Sequence, residues 1–296
     1  MEKKLSNIKF KEYIEKKVRN TIRKYKLLNR NDKIAVAVSG GKDSTVVLHV
    51  LKKLGYDIEA ITIDASIGNY TKQNLVNIKK VCKKNKIPLH VVSFREELGM
   101  SLCYMKDMLK EKGYDYASCM LCGILKRYLL NKHSRILKFD CLVTGHNLDD
   151  EAQAFLMNVF RNDFTLAKRQ GPISGSGKTK QFVKRVKPLY HIKEEEALRY
   201  SKIMKFPVNY EICPCSVGAY RREYKEMLDE FEKKHPSIKY NILHFHERMQ
   251  ESLKKEKKVK INACKICGEP AANELCKVCT VLEELKDKKG DEFKTC

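Results

Sequence analysis

Acidic residues are few in this chain of 296: 37 Asp and Glu stand against 60 Lys and Arg, a formal charge of +23. Such a deficit favours a polyanionic partner, because phosphates neutralised by Lys and Arg release their counterions. No apolar run approaches the roughly 18 residues of a membrane span. The Lys-rich start also lacks the apolar stretch of a signal peptide. A cytoplasmic protein that does not engage a membrane is therefore expected. No long internal repeat is visible. With 43% hydrophobic and 33% charged residues the chain is globular rather than disordered, and long enough for two ordinary domains or one large domain with an appendage.

A cytoplasmic chain has little use for disulfides, so twelve cysteines argue for metal or redox chemistry. Their spacing matters more than their number. Cys119 and Cys122 form one Cys-x-x-Cys, Cys264/Cys267 and Cys276/Cys279 form two more, and Cys213 and Cys215 flank Pro214. Cys82, Cys103, Cys141 and Cys296 stand alone and read as small buried hydrophobes or a loose tail thiol.

Apolar periodicity orders the rest. Phe10, Ile14, Val18, Ile22 and Tyr25 predict an amphipathic helix from about Lys9 to Leu28, its stripe packed on a core and its basic face free for RNA or water. Lys33–Ser39 is a short apolar run typical of a buried parallel strand. Ser39-Gly-Gly-Lys-Asp-Ser44 interrupts it, a helix follows over Thr45–Leu54, and a strand over Ile58–Asp64 completes a βαβ unit. Helices near Lys72–Asn85 and Gly123–Ser134 alternate with strands at Leu89–Phe94 and Cys141–Thr144. The pattern predicts an α/β fold, a doubly wound parallel sheet with helices on both faces. Gly171–Gly177 reads as a flexible loop placed for a lid or substrate loop. Helices around Lys193–Met204 and Tyr220–His235 complete the main domain, and Lys254–Lys260 reads as a linker or helix end. The expected divisions are an N-terminal helix over 1–30, a main domain over 31–255 and a small C-terminal unit over 256–296.

The Ser39–Ser44 turn sits between strand and helix. Two glycines let backbone approach an anion closely, and the helix N-terminus turns free N–H groups towards it. Ser39 and Ser44 can add hydroxyl donors and Lys42 a charge, while Asp43 can cap the helix or help hold Mg²⁺. The Walker pattern Gly-x-x-x-x-Gly-Lys-Ser/Thr is absent. Strand–SGGxDS–helix instead resembles the pyrophosphate loop (PP-loop) of ATP pyrophosphatases. Ser118-Cys-Met-Leu-Cys122, Lys126, Gly145-His-Asn-Leu-Asp-Asp-Glu151, Arg185-Val-Lys-Pro-Leu189 and Cys213-Pro-Cys-Ser216 follow in the order of one branch. That branch is similar to the iron–sulfur-dependent tRNA 2-thiouridine synthetases, over about Lys16 to Leu285.

The resemblance implies ATP-dependent adenylation of a tRNA uridine carbonyl, then sulfur transfer giving 2-thiouridine, AMP and pyrophosphate. It implies that Cys119, Cys122 and Cys213 hold a [4Fe-4S] cluster with one iron open for sulfide. Lys126 would reach ATP phosphate or the activated nucleotide, and Asp150 would be the acidic catalytic residue near the base, as general base or metal-positioning group. Ala37, Ser39, Gly40, Gly41, Lys42, Asp43, Ser44, Ile63, Lys126 and Gly145 would form the ATP site, with Mg²⁺. A homodimer and a sulfur donor, either a ubiquitin-like carrier protein or free sulfide, belong to the same expectation.

Chemistry supports the thiol reading. A Cys-x-x-Cys with one distant Cys is a thiolate short of an ordinary cluster site, which leaves an iron open. The same thiols can instead carry a persulfide resolved as a disulfide, or hold structural zinc. Cys215, where relatives more often have Tyr, can be a fourth ligand or a persulfide carrier. Cys264, Cys267, Cys276 and Cys279 read as a Cys₄ zinc ribbon, closed to catalysis because four thiolates leave no open position. Two departures from the branch stand out. No Cys precedes Cys82, so the usual N-terminal zinc finger is missing, and Asp64-Ala-Ser-Ile67 replaces Asp-Glu-Gly-Ile. Alternative readings are an adenylating modifier of another base and a non-catalytic RNA-binding paralogue. His244 and His246 read as a helix or strand end rather than a metal site, and Glu194–Glu196 as an acidic helix start.

Overall fold

The computed structural model describes residues 5–175, 181–216, 218–253 and 262–286. The Lys254–Lys260 segment, Gly177 and Cys296 lie outside the described residues. In chain order the first elements are α1 (Asn7–Lys24), β1 (Ile34–Ala37), α2 (Lys42–Lys53), β2 (Ile58–Asp64), α3 (Gly68–Asn85), β3 (Leu89–Ser93), α4 (Phe94–Leu98) and α5 (Leu102–Glu111). Then come α6 (Ser118–Ile136), β4 (Cys141–Val143), α7 (Leu148–Phe160), α8 (Phe164–Arg169), β5 (Ile173–Ser174), β6 (Lys184–Val186) and α9 (Glu194–Ile203). A 3₁₀ turn over Pro214–Ser216 precedes α10 (Tyr220–Lys234) and α11 (Ile238–Ser252); β7 (Asn262–Ala263), β8 (Pro270–Ala271) and α12 (Lys277–Leu285) form the C-terminal unit.

The main sheet has the order β3-β2-β1-β4-β6-β5, parallel throughout except at the β5–β6 edge. Side chains alternate across it, as a pleat requires. Ile34 and Val36 enter one core with Ile58, Ala60, Cys141 and Val143, whereas Ala35, Ile61 and Leu142 enter the other. The first core is closed by Phe10, Ile14, Val18 and Ile22 of α1, with α2, Ile78 of α3 and Tyr200 of α9. The second is closed by Leu102 and Met105 of α5, Leu121, Leu125 and Leu129 of α6, and Val278, Val281 and Leu285 of α12. The doubly wound fold expected from the alternation is therefore present. The order in which strands are added to the sheet reverses between β1 and β4, and ligands bind at such a switch point beyond the carboxyl ends of the strands.

Several boundaries differ from the sequence reading. α1 stops at Lys24 rather than Leu28, because Lys26 turns left-handed (φ 49°) and sends the chain into Leu27 and Leu28 of the core. α3 begins at Gly68, four residues early, and α6 begins at Ser118, so Cys119 and Cys122 sit in its opening turns rather than on a loop. Part of Gly171–Gly177 is no loop: Ile173 and Ser174 pair antiparallel with Val186 and Arg185. Neither α7 nor α11 was anticipated. His244 and His246 lie on α11, where buried His246 meets the Ala167 carbonyl through Nε2 at 2.9 Å and exposed His244 lies beside Glu247. Among the described residues no helix is long and apolar enough to cross a membrane.

Candidate active site

The turn after β1 lies at the switch point. Gly40 takes φ +82°, and a Cβ there would stand 2.6 Å from that of Asn74, so only glycine serves. Gly41 caps α2. The Ser44 hydroxyl donates to the Gly41 carbonyl at 3.1 Å and accepts from the Ser39 amide at 3.2 Å, which holds the loop ready around its free N–H groups. Gly145, just past β4, closes the other side: a Cβ there would lie 2.7 Å from the Ser44 amide nitrogen. Ala37 ends β1 half-buried. The Asn209 amide leans on the Gly40 carbonyl at 3.4 Å, joining the loop to the segment that carries Cys213.

One cavity of about 270 Å³ runs from this loop to the thiols. Ser39, Ile63, Lys126, Cys119, Cys122, Cys213 and Cys215 all line it. α6 supplies Cys119, Cys122 and Lys126 from one stripe at three- and four-residue spacing, and its N-terminus favours thiolates placed there. Burial pushes the Cys119 and Cys122 thiols up, and Lys126, hydrogen-bonded to Cys122, pulls against it. The Cys119 thiol donates to the Cys215 carbonyl at 3.2 Å. The remote third cysteine has thus joined the pair.

Residues the sequence did not single out complete the cavity. Tyr70 and Asn74 of α3 line it, and the tyrosine hydroxyl accepts from the Asn74 side-chain amide near Cys213 and Lys126. Buried Asn74 Oδ1 has no partner, so it offers an acceptor to a ligand beside Gly40. Cys103, read as an isolated small hydrophobe, is exposed on α5 with its thiol hydrogen-bonded to Cys215. Its spacing gives no clue, since 112 residues of chain separate the two. A second groove of about 900 Å³ shares Ile67 and Tyr70 with the cavity and carries Asn69, Gln73 and Asn209.

The acidic groups sit apart from the thiols. Asp43, Asp150 and Glu194 line a smaller cavity of about 70 Å³ with Lys225 and Lys239. Asp150 completes a capping box with Asn147 at the start of α7 and accepts from Arg221 Nη2 at 2.9 Å. Lys42 turns to Asp43 (3.1 Å) and Glu194 (2.8 Å) rather than into the thiol cavity. Burial, against the pull of Lys42, lifts the Asp43 carboxyl to about 6.

In the C-terminal unit the Sγ atoms of Cys264, Cys267, Cys276 and Cys279 lie within 4.8 Å of one another, the sole such ligand set of three or more among the described residues. The span suits one tetrahedral ion, whose thiolates stand ~3.8 Å apart at a metal–sulfur length of ~2.3 Å. The Cys276 amide donates to Cys264 Sγ at 3.3 Å. Burial of the Cys264 thiol is outweighed by such backbone donors, which hold it down at about 6. Cys119, Cys122 and Cys213 do not form such a set.

Loop, switch point and cavity define a PP-loop domain, and comparison agrees: the family model described as a PP-loop domain matches residues 10–208. The chain is 40% identical to the tRNA-5-methyluridine(54) 2-sulfurtransferase of Pyrococcus horikoshii, over 91% of this chain and 84% of that one. It is 35% identical to the protein of the same name from Thermotoga maritima, over 97% and 92%. The solved U34-tRNA thiolase NcsA from Methanococcus maripaludis, described with its [4Fe-4S] cluster, matches with a TM-score of 0.76 and 31% identity, over 96% of this chain and 91% of that one. The chain belongs to the PP-loop family and, within it, to the tRNA 2-thiolation branch.

Proposed function

We propose that this protein is an ATP-dependent tRNA sulfurtransferase that converts a uridine of tRNA to 2-thiouridine. One observation carries the reading: the phosphate loop, Lys126 and three cysteines share a single cavity. The uridine carbonyl oxygen attacks the α-phosphorus of ATP and pyrophosphate leaves. Sulfide then adds at the same carbon and AMP departs with the oxygen. Loop N–H groups, the Ser39 and Ser44 hydroxyls and Lys126 hold the charge that grows on the departing pyrophosphate. Cys119, Cys122 and Cys213 are the residues that would hold a [4Fe-4S] cluster, which would supply an open iron for sulfide. Ile63 and Ala37 wall the nucleotide site, while Gly40, Gly41 and Gly145 give it room.

The groove beside Tyr70 takes the flipped-out base, with Asn69, Gln73 and Asn209 as amides for its edge. Asp43 holds Mg²⁺. Asp150, beside Asp43 and tied to Arg221, suits positioning that ion better than deprotonating a base in the thiol cavity. Cys264, Cys267, Cys276 and Cys279 would hold zinc in the ribbon. We keep the division into an N-terminal helix (1–30), a PP-loop domain (31–255) and a ribbon (256–296), a cytoplasmic location, and sulfur supplied by a ubiquitin-like carrier or by free sulfide. A homodimer is supported by exposed Phe160, Phe164 and Leu166 around α7 and α8. The test is anaerobic incubation with ATP, unmodified tRNA and sulfide. Pyrophosphate release that requires tRNA, together with 2-thiouridine in the nucleoside mass spectrum, is expected. Pyrophosphate release with a different modified nucleoside would replace this reading with the other-base alternative, and no tRNA-dependent release would leave an RNA-binding paralogue.

A further inference from the structure

α6 carries a second functional stripe. Cys119, Cys122 and Lys126 face the thiol cavity, whereas Arg127 and Tyr128, one step round the helix, line a separate cavity of about 250 Å³ at the seam with the C-terminal unit. Arg185 of β6 and Lys277 of α12 line it too. Arg185 is half-buried, and its Nη2 donates to the Arg127 carbonyl at 3.2 Å. Among the described residues neither guanidinium forms an ion pair. The nearest carboxylate, buried Glu269, is already held by Arg135 and by Asn131 Nδ2 at 2.7 Å. Burial, and then Arg127, push Arg185 down to about 10. The cavity therefore gathers three cations at a mouth open to solvent, Arg127 and Lys277 exposed and Arg185 half-buried, where their mutual repulsion favours an anion between them. Planar guanidinium forks match the oxygens of a phosphate.

We propose that this cavity binds a phosphodiester of the tRNA backbone, so that α6 holds substrate RNA on one stripe while its other stripe holds the thiols. The inference rests on the tRNA reading above. Free phosphate or pyrophosphate has the same chemistry, but the cavity lies on the other stripe of α6 from the nucleotide loop, where no product is released.

The test is a titration of unmodified, fluorescein-labelled tRNA into the anaerobically purified full chain over a series of salt concentrations, read by anisotropy. The probes are Arg127→Gln, Arg185→Gln, the double variant and Arg185→Lys. The double variant is expected to bind roughly tenfold more weakly, with the log–log salt slope reduced by about one for each arginine. Arg185→Lys should keep most of the slope. Melting temperature and ATP binding should be unchanged in all four. Unchanged affinity and slope in a folded double variant overturns the proposal. So does weaker binding at an unchanged slope, which is the mark of a structural loss. Millimolar pyrophosphate that displaces tRNA from the wild type but not from the double variant assigns the cavity to the free anion and overturns it as well. If the wild-type chain binds no tRNA, the thiolation reading falls along with the inference, and that result is distinct from the others.

Discussion

Replacing Gly145 by alanine separates crowding from backbone strain, because Gly145 does not adopt a left-handed φ. The added Cβ would stand 2.7 Å from the Ser44 nitrogen, 2.9 Å from Ser44 Cα and 3.0 Å from the Asp43 carbonyl carbon. All three are main-chain atoms at the start of α2, so no side chain can swing aside. Ordinary contacts of this kind lie near 3.5–4.0 Å, so strand and loop must part by roughly 1 Å. Overpacking of this size costs about 1–3 kcal/mol, equivalent to a fall in melting temperature of roughly 2–5 °C for a chain of this length. A shift of ~1 Å in a positioning loop can cost ~10²-fold in rate. Thermal melting and the ATP dependence of tRNA-stimulated pyrophosphate release read the two effects. A variant that melts like the wild type and turns over within about twofold of it would refute the claim that the β4 end shapes the phosphate loop.

Three further outcomes are expected. Cys213→Ala should lose bound iron, whereas Cys215→Ser should keep it; equal loss in both would make Cys215 a ligand. Cys267→Ser, or a strong zinc chelator, should remove one metal ion and lower the melting temperature, because Val278, Val281 and Leu285 of the adjoining helix belong to the second core; a chelated protein with unchanged melting would contradict this. Glu194 pairs with Lys225 and Lys42, which outweigh its burial and draw its carboxyl down to about 2. Its contribution to stability is thus complete above the ordinary carboxylate range and lost as pH falls from about 4.5 towards 2. Glu194→Gln should accordingly melt lower than wild type at neutral pH, and the gap should close over that interval; a gap independent of pH would refute the ion-pair account.

What the sequence disclosed followed the range of the interactions involved. β1 and the phosphate loop were legible because an apolar run, two glycines and a helix start are neighbours in the chain. The sheet was legible from alternation, although β6 was missed since Lys184 and Arg185 make two-thirds of a three-residue strand. Cys119, Cys122, Lys126 and Cys213 were found through the branch's motif order, and the fold brings them to one cavity. Tyr70 and Asn74 escaped notice because the first turn of α3, Gly68-Asn-Tyr-Thr, shows no apolar period. Cys103 escaped because its meeting with Cys215 is purely tertiary. Arg185 was legible only as the first residue of the Arg185–Leu189 motif and Arg127 not at all, because their meeting at the seam with the C-terminal unit is purely tertiary.

Mössbauer spectroscopy of the anaerobic protein reconstituted with ⁵⁷Fe tests the arrangement of the three thiols most directly. About a quarter of the signal should come from an iron without a protein thiolate, and sulfide should shift that component alone. Four equivalent irons that ignore sulfide, or fully active protein containing no iron, would contradict it.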